Sequence, residues 1–272
     1  MNERAKIAPL PLEDPLEEAK RVLGEAQQNK IVLKLIGGVA VCVNCPSAKR
    51  PTLARRYVDI DLVGFSKQST PIRHFFDKLG YVPRDRFNAM YGDRRLIFND
   101  PEHQRRVDVF LDVFEMCHTL NLKNRLQLDG LTIPLADMLA TKLQIVEVTQ
   151  KDYKDMMAIL LDHEVGNSDD RIINGGYLAK LCGADWGIYK TMTMNLGRLS
   201  EVLPEFQLGE DGEVVETRIK ALHKLIEDEP KSLKWKMRAR IGERTPWYRL
   251  PEADKEVVDS RMPGTGPAVG NH

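Results

Sequence analysis

The sequence predicts an α+β fold, a small mixed sheet flanked by helices and followed by a mostly helical C-terminal region. Three observations carry the prediction. Short β-rich runs at residues 31–36, 57–65, 94–98 and 106–113 alternate with stretches of helical apolar spacing up to residue 163. Within the last of these runs Val107, Val109 and Leu111 alternate with Asp108 and Phe110, the period of a strand. Beyond residue 163 the pattern is helical, as in Leu196, Leu199, Val202 and Leu203.

Taken in order, residues 1–13 contain prolines and charges and are expected to be loose. Leu16, Ala19, Val22, Leu23 and Ala26 predict a helix over residues 15–28, and the β-branched run 31–36 a strand. Residues 38–44 then open a helix beside Gly37-Gly38, with free N–H groups available to an anion. Residues 45–56, with Pro46 and Pro51, form a loop rich in Arg and Lys, and residues 57–65 a second strand. Ile72, Phe75, Phe76 and Leu79 predict a helix over 70–79 that ends at Gly80. Residues 94–98 and 106–113 pair as strands.

Pro134 starts a helix running to about residue 149, with Leu135, Met138, Leu139, Leu143, Ile145 and Val146 as one apolar stripe. Asp137, Thr141 and Gln144 lie off that stripe. Lys142 falls near its centre, where an ammonium needs to snorkel or to find a buried anion. A helix over 151–163 follows, with Asp155 on its polar side. Further helices are expected at 176–181, 186–203 and 213–228, with residues 210–212 as a turn. The basic segment 231–244 is expected to be helical, and residues 258–272, rich in Pro and Gly, disordered. The chain thus divides into a loose start (1–13), a mixed domain (14–163), a helical domain (164–257) and a tail (258–272).

Composition narrows the function. The 272 residues carry 40 Lys and Arg against 40 Asp and Glu, so no global field favours nucleic acid. Local basic runs at 49–56 and 231–244 read as solvated faces or, in the second case with Trp235 and Trp247-Tyr248 nearby, as a docked segment or a nucleic-acid contact. Cys42, Cys45, Cys117 and Cys182 lack a second metal-binding pair and read as packing thiols in a reducing, cytoplasmic setting. No apolar run reaches the roughly 18 residues of a membrane span, so no membrane partner is expected.

The chemistry concentrates at Gly37-Gly38 and at Asp59-Ile60-Asp61. Residues i and i+2 of a strand share a face, so Asp59 and Asp61 project together. Neighbouring carboxylates repel unless a cation lies between them, and oxygen ligands of this kind suit Mg²⁺. Asp108 is a third strand carboxylate, with a solvent-facing edge position as the plain alternative. Asp152 and Asp155 sit close in sequence to the Lys142 helix. Arg55 and Arg56 precede the acidic strand and read as surface charge.

The ordered set Gly37-Gly38, Asp59-X-Asp61, Asp108, Lys142 and Asp155 resembles the nucleotidyltransferases of the DNA polymerase beta superfamily. It looks most like the branch of abortive-infection type toxin transferases and their uncharacterised bacterial relatives. The resemblance covers about residues 30–163 and implies a nucleotidyltransferase fold. It implies an NTP held by Gly37, Gly38 and Lys142, and Mg²⁺ or Mn²⁺ held by Asp59, Asp61 and Asp108. It also implies Asp155, or Asp152, as a further site acid. The implied activity moves NMP from NTP to an acceptor that is RNA, protein or a small molecule. A toxin-like transferase acting on tRNA and held by an antitoxin, and an idle binding module, are the alternatives. One departure is the 20-residue gap from Gly38 to Asp59, longer than is usual in the family.

Overall fold

The structure, a computed structural model, describes residues 10–128 and 130–250. It opens on α1 (Pro15–Gln28), whose N-terminus is capped by Asp14 accepting from Leu16 and Glu17 N–H. Buried Ala19, Val22, Leu23 and Ala26 then lead into β1 (Leu33–Ile36). The chain turns directly into α2 (Gly37–Asn44) at Gly37, with φ of 67°, a left-handed conformation that glycine adopts freely. After a short 3₁₀ turn at Pro46–Lys49 come β2 (Ile60–Gly64), α3 (Ser69–Lys78), β3 (Val82–Pro83), α4 (Asp85–Tyr91), β4 (Arg95–Asp100) and β5 (Arg105–Leu111).

These strands form one five-stranded sheet in the order β1-β2-β5-β4-β3. β2 and β5 run parallel and every other neighbour is antiparallel. β5 is therefore central, and its near-continuous burial fits a strand covered on both faces. α2 is apolar all round because it lies between the sheet and two later helices, α5 (Leu135–Leu143) and α6 (Gln150–Asp162). On the β4 side, Phe76 of α3 stacks on Phe98 at 4.4 Å between ring centroids.

A small hairpin, β6 (Val113–Glu115) and β7 (Thr119–Asn121), follows the sheet, and a two-stranded parallel pair, β8 (Val165–Gly166) and β9 (Ile173–Asn174), follows α6. The helices α7 (Gly175–Ala184), α8 (Trp186–Val202) and α9 (Glu210–Asp228) pack on α5 and α6. A single apolar core runs from Ala19 through Phe98 and Met157 to Ile226. α10 (Leu233–Ile241) docks on this bundle through Trp235, whose Nε1–H donates to Cys182 C=O at 2.9 Å, and through Arg238 over Trp186. The basic segment is thus a docked one, with Leu233, Met237 and Ile241 turned outward. All four cysteines are buried free thiols. Among the described residues no helix is long and apolar enough to cross a membrane.

Several expectations need correction. Residues 10–13 are held: Arg105 donates to the carbonyls of Leu12 and Glu13, and Leu12 N–H donates to Glu18. Residues 1–9 and 258–272 lie outside the described residues. β2 begins at Ile60, so Asp59 lies just ahead of the strand. α5 stops at Leu143 because Asn195 of α8 donates to the carbonyls of Leu143 and Ile145, ending the ladder with a side-chain cap. Asp137, Thr141 and Gln144 are buried with the rest of α5, since the C-terminal helices cover the face that a single amphipathic wheel leaves to solvent. Residues 210–212 form the first turn of α9 rather than a connecting turn ahead of a helix at 213. β3, α4 and the β6–β7 hairpin have no counterpart in the sequence reading. In α4, Asn88 completes the sheet beyond β3 by pairing its amide with both backbone groups of Ile97.

Candidate active site

β2 and β5 lie in parallel register with Asp61 beside Asp108, and β1 places Ile36 beside Asp61. Side chains at paired positions share a face. Two of the predicted acids thus meet where β1 turns into α2. A Cβ on Gly37 would overlap Asp61 Oδ2. The glycine therefore makes room for the acid as well as for the turn.

Asp61 is partly buried and accepts no hydrogen bond among the described residues. Burial first, and then the charges of Asp108 and Asp59, push its pKa up from 3.8 to about 6, against the pull of Lys142 and Arg95. Asp59 is exposed, two residues ahead in the chain. Asp108 is only 2% exposed and is no edge residue. Its Oδ1 accepts from Arg95 Nε at 2.9 Å and its Oδ2 from Arg106 Nε at 2.6 Å. Among the described residues no three His, Cys, Asp or Glu side chains already converge as a metal cage. Asp59 and Asp61 retain oxygens for a divalent cation. Asp108 would add one by releasing an arginine.

Beside the acids lies a second charged group. Lys142, 8% exposed at the end of α5, reaches Asp155 Oδ2 at 2.8 Å and Asp152 Oδ1 at 3.2 Å on α6. Burial lowers the ammonium's pKa, but Asp155 and Asp152 outweigh it and the net shift is upward. Asp152 also accepts from Thr149 N–H and Oγ1–H in a capping box, and the lysine and threonine hold its pKa down against burial. Asp155 is 2% exposed, not on a solvated face: Lys142 lies across from it, so the buried charge is paired.

The structure adds a residue that the sequence reading left on the surface. Arg55 presents its fork to Asp155, Nε to Oδ1 at 2.7 Å and Nη2 to Oδ2 at 2.8 Å. Its guanidinium lies over the Tyr57 ring at 4.4 Å. A Cβ on Gly38 would overlap Arg55 Nη2. Both glycines are thus filled by charged side chains, Gly37 by Asp61 and Gly38 by Arg55. The signal available in sequence was the Arg55–Tyr57 spacing, which sets two side chains on one side of an extended segment just ahead of Asp59.

The long loop between Gly38 and Asp59 is tied down on α6. Ser47 N–H and Oγ–H donate to Asp162 Oδ2, Lys154 donates to Ala54 C=O, and Arg55 holds Asp155. A cavity of about 290 Å³ adjoins this loop, lined by Val39, Cys42, Lys49 and Tyr57 with Leu16 of α1. A larger one of about 410 Å³ lies at the β6–β7 turn, between His118, Asp185 and Trp247, among residues that take no part in this charged group.

No protein-family model matches the chain, and no curated protein matches it. The solved structures similar to it include the following two. One is the lincosamide antibiotic adenylyltransferase LnuA bound to lincomycin, 15% identical with a TM-score of 0.40, over 56% of this chain and 98% of that one. The other is the antibiotic-resistance factor ANT(2'')-Ia, 11% identical with a TM-score of 0.38, over 78% of this chain and 94% of that one. At TM-scores this low, neither the family nor the acceptor of those proteins transfers to this chain.

Proposed function

We propose that this protein is a metal-dependent nucleotidyltransferase that moves NMP from an NTP to an acceptor hydroxyl. The observation that carries the reading is Asp61. It is a desolvated carboxylate without a hydrogen-bond donor among the described residues, flanked by Asp59 and Asp108 and cleared by Gly37. Such a group is costly for a folded protein unless a cation or a reacting proton is its partner. Asp59 and Asp61 would hold Mg²⁺ or Mn²⁺, which when bound neutralises phosphate charge and orients the triphosphate.

The chain's own residues supply the rest. Lys142, whose charge acts on Asp61 and which pairs with the α6 acids, would neutralise charge growing on the leaving pyrophosphate. The acceptor oxygen forms its bond to the α-phosphorus, the bond from that phosphorus to the bridging oxygen breaks, and pyrophosphate departs. Both oxygens of Asp108 are engaged by arginines and Asp61 would be committed to the cation, so the acceptor's proton goes to solvent water. Arg95 and Arg106 hold the Asp108 carboxylate in place beside Asp61.

The test is transfer of label from each α-labelled NTP, with Mg²⁺ or Mn²⁺, onto RNA, protein and small molecules. Asp59→Ala is run beside the unaltered chain. Because Asp59 is exposed and ahead of the strand, its variant is expected to melt within about 0.5 kcal/mol of the parent. Its label transfer is expected to vanish. Full transfer by a folded Asp59→Ala protein would overturn the assignment.

A further inference from the structure

Half-buried Arg55 and buried Lys142 share one carboxylate, Asp155, on the glycine side of the acid cluster. Arg55 enters from the loop, Lys142 from α5, and Asp155 from α6. The arginine fork is matched to a carboxylate in the geometry that equally matches a phosphate. Nothing about packing alone requires this: an ion pair buried this deeply is seldom more stable than apolar side chains of the same volume. The Arg55 guanidinium also rests on Gly38, one residue from the step that clears Asp61. The two cations therefore flank the place where a nucleotide anchored at Asp59 and Asp61 would set down its outer phosphates.

We infer that Arg55 is a second phosphate-binding cation, paired with Lys142, and that Asp155 is the internal anion that holds both in place until a triphosphate displaces it. The inference rests on the nucleotidyltransferase reading above and extends it to a residue and an exchange that the sequence motif does not contain. The exchange moves no covalent bond. Arg55 and Lys142 turn from the Asp155 oxygens to phosphate oxygens, and Asp155 loses one or both cationic partners.

The test is binding of inorganic pyrophosphate, without metal, to the full chain by calorimetry, with melting curves to confirm folding. Removing one charge-assisted fork is expected to weaken pyrophosphate binding by about tenfold or more in Arg55→Ala. Arg55→Lys keeps the charge but not the fork and is expected to recover part of that loss. If Arg55→Ala does not fold, Arg55→Lys alone is read against the parent. Asp155→Asn removes the competing anion and is expected to tighten binding several-fold, the opposite sign to a merely structural role. Parent-like pyrophosphate affinity in a folded Arg55 variant would overturn the role of Arg55. Weakened binding in Asp155→Asn would overturn the exchange. In both cases the nucleotide site would stand if the parent binds pyrophosphate. A parent that binds neither pyrophosphate nor Mg²⁺–NTP would instead sink the nucleotidyltransferase reading itself.

Discussion

Replacing Asp61 by Asn is expected to make the metal-free protein more stable. The carboxyl titrates near 6 in the fold instead of 3.8, because burial and the Asp108 and Asp59 charges oppose ionisation. A raised folded pKa favours the native state fully below the unfolded value, and that advantage disappears as the pH rises through 6. At 1.36 kcal/mol per pKa unit, the penalty at pH 7.5 is at most about 3 kcal/mol, and the partly exposed side chain makes about 1–3 kcal/mol the working range. The same linkage gives about half the full penalty at pH 5 and about a fifth at pH 4. For a domain of this size each kcal/mol shifts the melting temperature by about 2–4 °C.

The assay is urea unfolding of parent and Asp61→Asn in EDTA at those three pH values. The expected pattern is a variant that unfolds later at pH 7.5, with a gain that shrinks on acidification, while label transfer is lost. Mg²⁺ is expected to raise the parent's stability at pH 7.5 and to leave the variant nearly unmoved. An Asp61→Asn protein no more stable than the parent at pH 7.5, or a gain that does not change with pH, would refute the electrostatic argument.

Two further outcomes follow from the charged group beside it. Lys142→Met leaves Asp152 and Asp155 without their shared cation, and is expected to cost about 3 kcal/mol at neutral pH in denaturant unfolding. The deficit should narrow as the pH falls below 3.8 and Asp152, whose pKa Lys142 and Thr149 hold below that value, takes up its proton. Gly38→Ala gains helix propensity worth up to about 1 kcal/mol. Its methyl nevertheless collides with a guanidinium fixed on Asp155 and stacked on Tyr57. Its melting temperature is therefore expected to stay near the parent's while pyrophosphate affinity falls as in Arg55→Ala.

Local chemistry settled much of this chain before any fold was known. Asp14-Pro15 and the apolar spacing after it define α1, and the Gly37-Gly38 step marks where β1 ends. The alternation around Asp108 makes β5 a strand, because each of these signals acts within a few residues. What lies across from a residue is decided by pairing and packing at long range. Only strand order puts Asp61 beside Asp108 and turns the latter from an edge acid into a central one held by Arg95 and Arg106. Only the docking of α6 against α5 buries Asp155, which a helical wheel assigns to water. Arg55 is a surface charge by composition. It becomes part of the site because the long loop folds back onto α6, some 100 positions away, and sets its guanidinium on a glycine that has no side chain to exclude it.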